Sequence, residues 1–275
     1  MTRFTAWRRR SWAGYAVVLA ALVAIGAIYA GVSPATDQAQ ATGTQAQAAD
    51  LAKGKELFNQ NCASCHGLNA EGTKDAADNT IAPSLIGVGA AAVHFQITTG
   101  RMPAMTTAAQ VPSKKVVAPF DDEANVTAVA EYIQSLGGGP GVPAVPEGGD
   151  VALGGKLFRT NCAQCHNFTG QGGALTEGKF APDLMDTTPV QLYEAMLTGP
   201  QAMPVFNDTT LTPEDKAAII AFIETTREEP NPGGAGLGRM GPVSEGLVGW
   251  VVGIGLLVFA SIWITAKKPK KLKKS

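Results

Sequence analysis

The stretch NCASCHG at residues 61–67 returns as NCAQCHN at residues 161–167, displaced by one hundred positions. Its surroundings repeat as well. GKELFNQNCASCH (54–66) matches GGKLFRTNCAQCH (154–166), TGRMP (99–103) resembles TGPQAMP (198–204), and AEYIQS (130–135) parallels IAFIET (220–225). A chain repeated in this way folds as two copies of one unit. GGGPGVPAVPEGG (137–149) separates them, and its glycines and prolines cannot continue a helix.

The signals inside each unit are helical. Asp50 and Asp150 are expected to cap helices leading into the cysteines, and Asp121 or Asp122 another that carries Val126, Val129, Ala130, Ile133 and Leu136 on one face. Thr212, Pro213 and Asp215 read as a capping box ahead of Ile219, Phe222 and Ile223. No strand pattern competes, so the expected class is all-α. Units of about eighty residues are small for a self-sufficient core, so a bound group is expected to complete each one.

Cys62 and Cys65 stand three apart with His66 next to them, as do Cys162, Cys165 and His166. On one helical turn both sulfurs face the same way with the histidine beside them. C-x-x-C-H is the signature of a covalent c-type haem, in which two thioethers fix the porphyrin and the histidine ligates iron. Three other readings compete. Disulfides explain neither the histidine nor the repeat; a zinc ribbon wants its two pairs close together, and a thioredoxin-like site wants a βαβ setting. The reading is therefore two covalently bound c-type haems, packed against Leu57 and Phe58 in one unit and Leu157 and Phe158 in the other.

A haem that passes electrons is held on both sides, and a thioether sulfur opposite histidine raises its potential. Met102 and Met203 each follow a Thr-Gly pair and precede a proline, which makes them the expected axial ligands. Met105 rivals Met102; Met196 reads as core and Met185 has no counterpart in the first unit. His94, which aligns with Tyr193 when counted back from the Thr-Gly pair, is expected on a helix, as a polar surface residue.

Two apolar runs flank the repeat. AGYAVVLAALVAIGAIYAGV (13–32) is long enough to span a bilayer and follows four arginines, and GLVGWVVGIGLLVFASIWIT (246–265) precedes a tail with six lysines. Cationic flanks stay in the cytoplasm, so both termini are expected inside and the repeat outside the plasma membrane. The first run has a competing reading as a cleaved signal peptide, with Ala-x-Ala at 46–48. The basic ends are topology signals, not nucleic-acid patches; between them 50–136 carries nine acids against six bases and 150–229 eleven against five. The expected layout is a basic segment 1–12, a span or signal anchor 13–32, a linker 33–49, domains 50–136 and 150–229 joined by 137–149, a linker 230–245, a span 246–265 and a cytoplasmic tail 266–275.

These residues resemble class I cytochromes c, whose fold crosses an N-terminal helix over a C-terminal one, with a glycine at the crossing and aromatic packing around it. The resemblance implies that Gly54, Phe58 and Tyr132 fill that role in one unit, and Gly154, Phe158 and Phe222 in the other. The whole layout is similar to the dihaem cytochrome c subunit of the actinobacterial menaquinol–cytochrome c reductase. That resemblance implies a cytochrome b subunit and a Rieske iron–sulfur protein as partners. It also implies a relay from Rieske through two haems to a haem-copper oxidase in the same supercomplex, within a translocase. Competing functions are a dihaem subunit of another oxidase or membrane dehydrogenase, a dihaem peroxidase needing an open iron position, and a haem-based sensor, which would need an output module.

Overall fold

A computed structural model describes residues 12–32, 36–106, 110–230, 236–239 and 242–266. The chain divides into two units, 1–50 and 51–275. The first contains helix α1 (Ala13–Val32), twenty residues without a charged side chain. Helix α2 (Thr36–Asn61) begins in the segment expected to be an irregular tether, so Asp50 lies inside a helix and is not its cap. The reason is local: alanine and glutamine dominate that stretch, and both favour helix.

In the second unit, the last part of α2 runs against α5 (Glu123–Ser135), and α6 (Val151–Asn161) against α9 (Pro213–Glu228). Both pairs approach too closely for any side chain at the contact. A Cβ on Gly54 would stand 2.0 Å from the Ala128 carbonyl oxygen, and one on Gly154 would stand 1.9 Å from that of Ala218. Aromatic rings pack beside each crossing, Phe58 with Tyr132 at 5.5 Å and Phe158 with Phe222 at 5.4 Å between centroids. The resemblance to class I cytochromes c implied these two arrangements. Phe58, Val126, Val129 and Ile133 centre one core, and Phe158, Leu192, Ile219 and Ile223 the other.

The helix starts follow from capping. Asp122 accepts from the Ala124 amide, Asp150 from those of Ala152 and Leu153, and Thr212 with Asp215 closes a capping box. Helix α8 (Pro189–Thr198) starts with a second such box, Thr188 with Gln191. The short turns α3 (Ala63–His66) and α7 (Ala163–His166) carry the cysteine motifs.

The helical picture needs one correction. Two small antiparallel hairpins follow the motifs, β1 (Thr73–Lys74) with β2 (Thr80–Ala82) and β3 (Gly173–Ala174) with β4 (Phe180–Ala181). Strands of two or three residues leave no legible alternation.

Helix α4 (Ala90–Thr98) packs on α8, so the two repeats meet directly. Residues 140–147 of the connecting segment form neither helix nor strand. Helix α10 (Pro242–Thr265) starts a few residues before the expected span, and its Ser244–Thr265 part is long and apolar enough to cross a membrane. Arg239, just before it, donates to the Thr226 carbonyl at 2.6 Å, and its own carbonyl accepts from Thr169 at 2.6 Å. These bonds tie the approach to α10 to the second repeat.

Candidate functional site

Each cysteine motif closes one helical turn. The Cys65 and His66 amides donate to the Cys62 carbonyl at 3.1 and 2.9 Å, and Cys165 and His166 repeat both distances to Cys162. In the second repeat both sulfurs and the imidazole face one cavity. Burial, reinforced by the neighbouring cysteine, pushes the Cys62 thiol up to about 11 and Cys162 up to about 12.

Both histidines are buried and oriented from behind. Nδ1 of His66 donates to the Pro83 carbonyl at 2.8 Å, and Nδ1 of His166 to that of Pro182 at 3.0 Å. A carbonyl can only accept, so the proton is on Nδ1 and the Nε2 lone pair is left for a metal. Burial lowers the His166 pKa, against its bond to Pro182, and favours the neutral form that binds iron. The hairpins matter here because β2 and β4 each deliver the proline that follows them. These two prolines escaped the sequence reading, although Ala-Pro-x-Leu recurs at 82–85 and 181–184 and would have given them away.

The methionines divide as follows. Met102 packs against the first core and Met203 against the second, as Cys62 and Cys162 also do. Met105 is 84% exposed, whereas Met196 is a core residue of the second repeat.

A cavity of about 470 Å3 brings Cys162, Cys165, His166 and Met203 together with apolar Leu192, Phe206 and Ile223. That volume lies within the usual range for ligand pockets. This donor set, two sulfurs, an imidazole nitrogen and a thioether within an apolar wall, would suit a covalently attached c-type haem. Part of the wall comes from the other repeat: Thr99, Arg101, Gln110, Ser113 and Lys114 all line the same cavity.

His94 is on a helix as expected, but it is buried, not at the surface. It sits where α4 meets α8, with Nδ1 2.7 Å from Oε1 of the fully buried Glu194 and Nε2 2.7 Å from Oε1 of Glu123. The contact with Glu194 is a charge contact without an aligned hydrogen bond. Burial opposes protonation of His94, but the Glu194 and Glu123 carboxylates outweigh it and hold the imidazole up at about 9. The pair joins the two repeats.

The cytochrome c family model matches residues 51–137, and that of cytochrome C oxidase, cbb3-type, subunit III matches 149–223. The cytochrome bc1 complex cytochrome c subunit of Mycobacterium tuberculosis is 44% identical over 94% of this chain and 92% of its own length. Its counterpart in Corynebacterium efficiens is 43% identical over 94% and 90%. The FixP subunit of the cbb3-type cytochrome c oxidase of Bradyrhizobium diazoefficiens is 33% identical over 49% of this chain and 44% of its own.

Proposed function

The chain belongs to the family of cytochrome bc1 complex cytochrome c subunits, and we propose that it relays electrons from a Rieske iron–sulfur protein to a haem-copper terminal oxidase. It carries two covalently bound c-type haems and works by one-electron transfer within an oxidoreductase complex. In the proposed assignment Cys62 and Cys65 hold one haem and Cys162 and Cys165 the other. His66 with Met102, and His166 with Met203, are the axial ligands. The domains are 50–136 and 150–229.

The carrying observation is the matched tie of His66 to Pro83 and His166 to Pro182, which orients two imidazoles for iron beside two cysteine pairs. Each haem supplies a site that gains and loses one electron. The protein's part is to fix the imidazole tautomer, keep water from the buried face and hold the two sites in one rigid unit. With Met102 and Met203 as second ligands neither iron would keep an open position, which favours a relay over a peroxidase.

The proposed layout places α1 and α10 as spans, both basic ends in the cytoplasm and the haem domains outside, facing a cytochrome b subunit and the Rieske protein. Arg239 then keeps the second domain close to the membrane surface. Membership of the translocase class follows from that complex.

Met102→Leu and Met203→Leu test the ligand assignment: each is expected to abolish the methionine-to-iron charge-transfer band of one haem, and loss with Met105→Leu instead overturns the first. Purification from native membranes through a tagged C-terminus tests the relay, with b-type haems, a Rieske protein and a haem-copper oxidase expected together. The match of 149–223 to the cbb3-type family favours a second reading, a dihaem subunit of an oxidase without cytochrome b. Recovery with an oxidase alone would establish it.

A further inference from the structure

The two repeats differ in length at one place. Twenty positions separate Met102 from the cap Asp122, but only nine separate Met203 from the cap Thr212. The extra chain of the first domain is bound to the second. The Gln110 amide donates to the Phe180 carbonyl at 2.6 Å and accepts from the Phe180 amide at 2.9 Å, while Gln201 donates to the Val111 carbonyl at 2.9 Å. The loop then folds back on its own domain. Ser113 donates to the Thr99 carbonyl and Lys114 to that of Pro103, and Gly100 lies so close that a Cβ there would stand 1.7 Å from the Lys114 carbonyl oxygen.

This docking carries two cations to the cavity that holds Cys162, Cys165 and His166. Lys114 is half-buried, and its ammonium has one carbonyl as partner among the described residues. The Arg101 guanidinium is half-buried over the Phe95 ring, 5.1 Å from its centroid, and has no carboxylate partner among the described residues. Two carboxylates, Asp183 and Asp186, also line the cavity, but they lie in the field of Arg227, which donates to the Thr187 carbonyl at 2.6 Å. Among the described residues neither Lys114 nor Arg101 forms an ion pair with a carboxylate.

A haem carries two carboxylate groups on one edge and needs cations or hydrogen-bond donors for them when that edge is covered. We propose that the extra loop of the first domain completes the haem site of the second, with Lys114 and Arg101 binding the carboxylates of the haem held by Cys162 and Cys165. The inference rests on the haem assignment above. Gln110 is a positioning residue that clamps the loop in place. Because Arg101 adjoins Met102 and Lys114 grips Pro103, the segment that ligates the first iron also forms a wall of the second site. The two haems are thereby fixed relative to each other without a tether of their own.

The test is a spectroelectrochemical titration of the full-length protein in its complex, with the second haem's signal assigned beforehand through Met203→Leu. Lys114→Gln removes a positive charge and is expected to lower the second haem's potential, shifting electron sharing towards the first haem by about fivefold. That ratio corresponds to about 40 mV at 59 mV per tenfold. Lys114→Arg is expected to restore it, and Arg101→Gln with Lys114→Gln to enlarge the shift. Gln110→Ala, which changes no charge, is expected to move the same potential in the same direction by less. A second haem unmoved by both Lys114→Gln and Gln110→Ala, or a shift confined to the first haem, overturns the proposal. Haem content separates this outcome from failure of the haem assignment itself: two c-type haems per chain must persist in every variant.

Discussion

The two haem domains are copies of one fold that have diverged where they touch. At the helix crossings they are superposable in chemistry, with Gly54, Ala128 and Tyr132 in one and Gly154, Ala218 and Phe222 in the other. At the contact between α4 and α8 they are not. Position for position before the Thr-Gly pair, His94 and Phe95 of the first domain answer to Tyr193 and Glu194 of the second. A repeat with identical faces would bring like against like. Here a cation on one copy meets an anion on the other, which specifies this pairing over self-association of either domain.

The largest expected effect comes from breaking what the copies share. Gly54→Val and Gly154→Val each force a side chain into a backbone carbonyl about 2 Å away, with no flexible neighbour to yield. Each is expected to cost more than about 4 kcal/mol and to leave a chain with one mature haem domain. Peptide mapping of covalently bound haem checks which one. Equal loss of both haems from either variant would mean that the domains fold as one cooperative body, and the comparison would need redrawing.

Next in size is the contact that the copies do not share. Glu194→Ala leaves His94 buried with Glu123 as its remaining partner and is expected to cost about 2 kcal/mol. The same contact makes stability depend on pH. An unfolded histidine titrates near 6.5, whereas His94 in the fold is held up at about 9, so the folded state binds more protons between those values. Its contribution is complete below about 6.5 and is lost as pH rises through about 9. Thermal unfolding followed by circular dichroism from pH 6 to 10 should show this decline in the wild type and a flatter profile in His94→Gln. An equally steep wild-type and variant profile would remove His94 as its cause.

How much of this could be read from the chain follows the same division. Features repeated within each copy were legible: the cysteine turns and the caps at Asp121 or Asp122, Asp150 and Thr212 depend on local chemistry, while the crossing glycines were implied by the resemblance to class I cytochromes c. Features that depend on the other copy were not. His94 reads as a polar residue on a helix surface, which is true of its own domain; the burying partner is Glu194, one hundred residues on. The loop containing Gln110 and Lys114 reads as an irregular connection until Phe180 and Gln201 are placed against it. The helix through Asp50 was missed for a different reason, since sequence that can serve as a tether also has high helix propensity.

A smaller effect is expected at the core position where Val126 of the first domain corresponds to Lys216 of the second. Both are buried, but Lys216 reaches Asp208 and the Leu211 carbonyl, each at 2.6 Å, and its ammonium lies 5.5 Å from the Tyr193 ring centroid. The lysine's desolvation offsets most of what these contacts contribute. Lys216→Met fills the same volume without the charge and is expected to change stability by less than about 1 kcal/mol in either direction. Chemical denaturation followed by circular dichroism measures it. A loss of several kcal/mol would show that the second core depends on its ion pair, and the two cores would then differ in kind.

The smallest effect is expected at Met105, and its value lies in being small. Only three residues separate it from Met102, and each is followed within the same loop by residues that pack on the second domain. Their surroundings nevertheless differ: Met102 packs against the first core, while Met105 is 84% exposed. The former is the proposed ligand, because a thioether left in water gains nothing from packing and leaves the metal open to solvent. Met105→Leu is therefore expected to leave both charge-transfer bands, both potentials and the melting temperature unchanged, while Met102→Leu removes the band of the first haem alone. The matching change in the second domain, Met203→Leu, should remove only the other band. If Met105→Leu abolishes a band, the alignment on the Thr-Gly pair fails in the first copy, and its haem is ligated from the loop that the second domain lacks.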